Sequence, residues 1–543
     1  MQFANLNEYL LWLKGTGSKY QLDFFRWMMK GDGSAVLVAG PGSGKTWTIE
    51  HGLPLIPEMN KWGRPTSVQC FAFNSSIGAE LKVRIDGLKA AHNRPFAGFR
   101  AGTFHSVGYG AVLKHLGMSP AQVKADPGKC RTICREWLGT YDYELYADFI
   151  CKLVGFAKGQ GVGCLVPDTD EVWYEMIAHH DLMLDSEEAN EATAVEKARQ
   201  LLRISNERAK GGMFDFDDQL YLVLLWKLRL WQNDWVFLDE SQDTNPVRRA
   251  MAKLALRPGG RLVAVGDPRQ GIYGFTGASA DAMDLIKREF NAVEMPLTVC
   301  YRCDQAVVDA VAEVYPGCIE AAPGAKPGKL TDMVEVDEAL KVLTNADAIL
   351  CRNTAPLVAL AYDILARGRG CRIMGRDIGE GLIKLIDKMR AKTIVGMLEK
   401  LEKWRQREVA AHTAKGEEGK AESINDRCEC IETIVANLDE NSRTLPALKT
   451  KITSMFSDGQ TNVLTLGTIH KAKGKEWPQV GIYRPELMPS KWARQEHQQV
   501  QERNLDWVAR SRAQHHLMWI AELQAKKQKR EEKKAERMEG DVA

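Results

Sequence analysis

Two stretches carry residue types suited to phosphate chemistry. The apolar run Ser34-Ala-Val-Leu-Val-Ala39 leads into Gly40-Pro41-Gly42-Ser43-Gly44-Lys45-Thr46, and Trp-Thr-Ile-Glu50 can continue as a helix. A glycine loop between a strand and a helix N-terminus lets backbone N–H groups close around phosphates, while the helix end favours negative charge. In such a loop the Lys45 ammonium reaches the β- and γ-phosphates, and the Thr46 hydroxyl is a ligand for Mg²⁺. The second stretch, Val236-Phe-Leu-Asp-Glu-Ser-Gln-Asp-Thr244, sets a buried-strand pattern against adjacent carboxylates. Asp239 stands at the carboxyl end of that strand, where open α/β sheets place their ligands, and is the second Mg²⁺ contact. Glu240 is then the candidate base or positioner for the attacking water.

A third run, Arg261-Leu-Val-Ala-Val-Gly-Asp267, is also a strand ending in a carboxylate. Gln270 follows it, placed to hydrogen-bond a γ-phosphate, and Tyr273 and Phe275 offer flat faces on which bases can stack.

In this order the segments resemble superfamily 1A DNA helicases of the UvrD/Rep type, with some motifs similar to RecB-like and F-box-helicase-like relatives. The resemblance runs from Gln21 to about Leu523. It implies that Gln21 reads adenine, and that Phe73 and Asn74, with Thr103, Phe104 and His105, contact DNA. Phe214-Asp-Phe-Asp-Asp218 is similar to a short motif preceding the catalytic strand. Tyr301 would stack on adenine and Arg302 would reach the γ-phosphate, which makes the Cys300/Cys303 spacing incidental. In Val463 to Trp477, Gly474 and Glu476 would serve ATP, and Thr468 and His470 would serve DNA. Arg512 would be the second γ-phosphate finger. Arg302 and Arg512 come from a different domain than the glycine loop, so the nucleotide is expected between two domains, and Gln242 and Asp243 are expected to link the catalytic strand to neighbouring motifs. Such fingers are worth roughly 10³ to 10⁵ in rate.

The implied fold is α/β: two RecA-like parallel-sheet motor domains with two mainly helical insertions. The expected divisions are 1–113 plus 205–280 for the ATP-binding domain (1A) and 114–204 for a helical insertion (1B). The second motor domain (2A) takes 281–376 plus 456–525, and a short second insertion (2B) takes 377–455. Residues 526–543 form a charged tail. Within the first insertion, Val172-Trp-Tyr-Glu-Met-Ile177 has helical apolar spacing, and His179-His180 reads as a solvated helix end. Ala414 to Lys420 reads as an exposed turn.

At 543 residues, and roughly 150 per domain, three or four domains are expected. A formal charge of +2 neither demands nor excludes a polyanionic partner. The 12 scattered cysteines suit a reducing compartment. With no apolar run near the ~20 residues of a membrane span, the expectation is an intracellular protein without a membrane partner.

The implied activity is ATP-dependent, Mg²⁺-requiring 3′→5′ translocation on single-stranded DNA, with unwinding at single/double-strand junctions, in replication, recombination or repair. A monomer that works with loading or repair proteins is expected. A translocase that only displaces proteins, and a nucleotide-switched DNA-binding scaffold, are the alternatives. Three positions depart from the resemblance: Trp47 after Thr46, Ser75-Ser76 in place of a basic or amide residue, and Thr276 where Arg is common.

Overall fold

The computed structural model describes residues 5–72, 75–91, 98–123, 126–180, 182, 184, 188–272, 281–414, 418–439, 443–456, 462–494 and 496–522. Phe73, Asn74, Tyr273, Phe275, Thr276, the centre of the turn at 415–417 and the charged tail lie outside these residues, as do the side chains of Ser75 and Ser76. The chain divides into two compact units, Met1–Val299 and Cys300–Ala543.

The first unit is built on a parallel six-stranded sheet in the order β3-β2-β4-β5-β1-β6. Its strands are β1 (Ala35–Ala39), β2 (Ser67–Ala72), β3 (Gly98–Thr103), β4 (Asn233–Leu238), β5 (Leu256–Gly266) and β6 (Val293–Leu297). The central strands β1, β4 and β5 contain the continuous apolar runs Ala35–Ala39, Trp235–Leu238 and Leu262–Val265, because both faces of the sheet are covered there. One face packs on helices Leu6–Thr16, Lys19–Lys30 and Lys45–Gly52, whose core includes Phe24, Phe25, Leu37 and Phe237. Trp47, the first departure, joins this side as an aromatic neighbour of Trp12, Phe25 and His51.

The other face shares a core with helices Phe104–Leu116, Lys129–Trp137, Thr140–Gln160, Asp170–His179, Glu191–Lys210 and Pro246–Ala255. The helical insertion and the sheet therefore fold as one body. Residues 281–299, placed by the sequence reading in the second motor domain, add helix Ala282–Glu289 and β6 to the first sheet, where β6 pairs with β1. His179 is exposed as expected. His180 is not: it is buried, with its ring stacked 3.8 Å from that of Phe156.

The second unit has its own parallel six-stranded sheet. In spatial order the strands are 371–373, 464–468, 348–351, 477–483, 513–521 and 329–335. Helices Arg376–Lys388, Ile394–Ala414, Glu418–Ala436 and Leu445–Met455 pack on it in one core with Ile349, Leu466 and Met518. Among the described residues, no helix is long and apolar enough to cross a membrane.

Candidate nucleotide site and nucleic-acid face

The glycine loop sits between the end of β1 and helix Lys45–Gly52. Gly42 and Gly44 take positive φ of 67° and 77°, which tight loops obtain most readily from glycine. Behind the loop lies Gln21, almost fully buried. Its Nε2 donates to Thr48 Oγ1 at 3.0 Å, and its Oε1 accepts from Ser18 N at 2.9 Å. Gln21 thus braces the loop from the preceding helix.

Three strand ends converge on this loop. Asp239 follows β4, and Glu240 beside it is held at a positive φ of 49°, a sparsely populated conformation for a residue with a side chain. Glu240 Oε1 lies 3.8 Å from Lys45 Nζ, and Glu240 Oε2 accepts from Gln242 Nε2 at 2.5 Å. Gln242 Oε1 in turn accepts from Asp267 N at 3.1 Å, and Gln270 Nε2 donates to Asp267 Oδ2 at 2.8 Å. Gln242 therefore ties the strand that carries the two acids to the one that leads to Gln270. The contact demands Gly266: a Cβ there would lie 2.3 Å from Gln242 Oε1.

Burial, and then the charge of Glu240, push the Asp239 pKa up to about 6. Its ordinary value is 3.8, so the metal-free folded state favours the protonated form. The stability this confers is complete below pH 3.8 and is lost as pH rises through about 6. Asp239→Asn in EDTA is accordingly expected to raise the melting temperature at pH 7 and to flatten the loss of stability between pH 4 and pH 6. An unchanged pH profile would show that Asp239 ionises without this cost.

Two observations fit the loop to a bound phosphate and a hard cation. Ser43 Oγ is buried without a hydrogen-bond partner among the described residues, a donor awaiting an acceptor. The Thr46 hydroxyl and the Asp239 carboxylate are the hard oxygen donors that Mg²⁺ prefers.

The DNA-assigned residues differ in exposure. Thr103 caps helix Phe104–Leu116, with its hydroxyl accepting from Ser106 N at 3.1 Å. Phe104 is buried, its ring stacked 4.1 Å from that of Phe71, so it supports the sheet rather than presenting a face to bases. His105 is partly exposed, and burial together with Arg248 pulls its pKa down to about 4, leaving it neutral at pH 7. Phe216, whose position in the Phe214–Asp218 segment did not reveal a contact role, is 51% exposed, and its ring lies 6.4 Å from that of His105.

Sequence reasoning also missed a buried ion cluster. Lys129 and Lys158, both inaccessible to solvent, meet Asp215 and Asp218. The only hint was a lysine inside the apolar Phe156-Ala157-Lys158 run.

In the second unit, Arg302 Nε and Glu476 Oε2 lie 2.5 Å apart, and Gln514 Nε2 donates to Glu476 Oε1 at 3.1 Å. Arg512 is buried: its Nε donates to Val508 O, Nη1 to Lys475 O and Nη2 to Ser511 Oγ. The Nη1 bond ties it to the backbone just beyond Gly474, which has φ of 76°. Tyr301 is half exposed. Cys300 and Cys303 are both buried, with Cys303 N donating to Cys300 Sγ at 3.4 Å. Thr468 caps the following turn, and burial, Arg352 and Lys471 lower the His470 pKa to about 3.

A parallel sheet with a glycine phosphate loop after one strand and paired acids after another defines a phosphate-loop nucleotide-binding protein. The comparisons narrow the class. Residues 26–291 match the UvrD/REP helicase N-terminal domain, and residues 378–524 match the UvrD-like helicase C-terminal domain. The chain belongs to the UvrD/Rep-type family of superfamily 1A. It is 27% identical over 290 residues to a probable DNA helicase II homolog of Mycoplasma capricolum, covering 50% of this chain and 37% of that one. It is 24% identical over 380 residues to the ATP-dependent DNA helicase PcrA of Leuconostoc citreum, covering 65% and 47%. To the ATP-dependent DNA helicase srs2 of Schizosaccharomyces pombe it is 25% identical over 283 residues, covering 48% and 30%. The matches thus span less than half the length of these three relatives.

Proposed function

We propose that the chain is an ATP-driven motor that moves 3′→5′ on single-stranded DNA and separates duplex at junctions. The observation that carries this reading is the convergence of Lys45, Asp239, Glu240 and Gln270 at the ends of β1, β4 and β5, cross-linked through Gln242. Lys45 binds the β- and γ-phosphates, Glu240 orients and deprotonates the attacking water, and Gln270 senses the γ-phosphate. Arg302 and Arg512 act as fingers, with Tyr301 on the adenine. Thr46 and Asp239 hold Mg²⁺, which when bound neutralises charge on the phosphates. On the DNA side, His105 and the exposed ring of Phe216 join Thr103, while Phe73, Asn74, Tyr273, Phe275, Thr468 and His470 complete the proposed contacts.

Steady-state ATP hydrolysis without polymer, with oligo(dT) and with oligo(U) tests the substrate, and forks with a 3′ or a 5′ single-stranded tail test direction. Strong stimulation by oligo(dT) and unwinding of the 3′-tailed fork are expected. Stimulation with displacement of bound protein but no unwinding would favour a translocase, and polymer-indifferent turnover would favour a switch. Arg512→Ala is expected to lower stimulated turnover by roughly 10³-fold or more, and wild-type turnover in that variant would remove Arg512 from the chemistry.

A further inference from the structure

Arg248 stands on helix Pro246–Ala255, whose first turn is fixed by Asn245: Arg248 N donates to Asn245 Oδ1 at 2.9 Å. Its Nη1 donates to the carbonyl oxygen of Asp243, in the segment that follows the two catalytic acids, at 3.0 Å. The side chain borders a cavity of about 10 Å³ that is also lined by Asp239, Glu240 and Asp243 and by Phe104 and His105. That is room for about one water molecule. Desolvation works against the guanidinium charge here, and the carboxylates of Asp243 and Asp217 oppose that cost. Asp217 directly follows the exposed Phe216, and the same positive charge acts on His105.

We propose that Arg248 is a positioning residue that couples the nucleic-acid face at His105 and Phe216 to the catalytic acids Asp239 and Glu240. The inference rests on the motor reading above. Coupling between two sites requires an element whose contacts differ when either is occupied. Arg248 meets that requirement by position. Its cavity is lined both by the acids after β4 and by the start of the helix assigned to DNA. A positive charge held there favours one arrangement of the acids when His105 is drawn toward a strand and another when it is not.

The experiment measures ATP turnover against oligo(dT) concentration for wild type, Arg248→Gln, Arg248→Met and Arg248→Lys, together with KM for ATP and the nucleotide-free affinity for oligo(dT). Coupling of ordinary size is worth roughly 5- to 150-fold, so the ratio of stimulated to unstimulated turnover is expected to fall about tenfold in Arg248→Gln. KM and oligo(dT) affinity should change far less than that ratio. Arg248→Lys, which keeps the charge, should recover most of the ratio, a rescue that a purely structural role would not give. Arg248→Met decides the question if Arg248→Gln does not fold. A wild-type ratio in either neutral variant overturns the proposal while leaving the motor reading intact, and equal loss in Arg248→Lys also overturns it. Absence of stimulation in the wild-type chain sinks both.

Discussion

Glu240→Gln is expected to lower ATP turnover by roughly 10²- to 10⁴-fold, the usual contribution of a positioned general base. The substitution preserves shape and removes the only group at this position able to take a proton. Geometry makes the side chain hard to replace. Its carboxylate is anchored from both ends, by Lys45 at 3.8 Å and by Gln242 at 2.5 Å, on a backbone held at φ 49°. The neighbouring Gln270 is held by Asp267, to whose Oδ2 its Nε2 donates at 2.8 Å. Nucleotide binding should survive, since the loop, Lys45 and Thr46 are untouched. Turnover and binding of a fluorescent ATP analogue, measured side by side, separate the two effects. Wild-type turnover with intact binding would take Glu240 out of the chemistry.

The parts of this site that were legible in the sequence share one property: each is a buried strand with chemistry at its end. The runs leading to Gly40, Asp239 and Asp267 are apolar on both faces, so their position in a parallel sheet followed from composition, and the end of the strand told where the side chain would act. The strand β6 was harder. Its residues Val293–Leu297 are largely exposed and include Pro296, as an edge strand permits, and nothing in that pattern says which sheet it joins. Phe104 shows the opposite difficulty. A Thr-Phe-His segment announces an aromatic, but whether its ring faces solvent or Phe71 depends on the strand packed beneath it. Arg248 and Lys129 were invisible because cations on helices ordinarily face water.

Truncating Asp218 is expected to have the largest effect on stability. Its carboxylate receives Lys129 Nζ at 2.6 Å and Lys158 Nζ at 2.7 Å, and it also accepts from the backbone N–H of Asp215 at 3.0 Å. Asp215 returns the favour, accepting from Asp218 N at 2.8 Å and pairing with Lys158 at 2.5 Å. Two positive and two negative charges therefore balance with almost no water. Breaking a buried pair by removing one partner leaves an uncompensated charge and costs about 3 to 5 kcal/mol. Asp218→Ala should fall at the upper end, since it leaves Lys129 without its acid and Lys158 sharing the cluster's surplus positive charge with Asp215 alone. Lys158→Met tests the charge argument against simple packing. Alone it leaves a surplus carboxylate, whereas Lys158→Met with Asp215→Asn restores neutrality and keeps an acceptor for Asp218 N. Urea titration of the full chain is expected to show the double variant more stable than Lys158→Met. Additive losses would mean that shape, and not charge balance, sets the cost. The cluster joins helices Lys129–Trp137 and Thr140–Gln160 to the segment that presents Phe216 beside His105. Its loss should therefore loosen that face before the sheet itself unfolds, and oligo(dT) affinity should weaken at urea concentrations where the far-ultraviolet signal is still native.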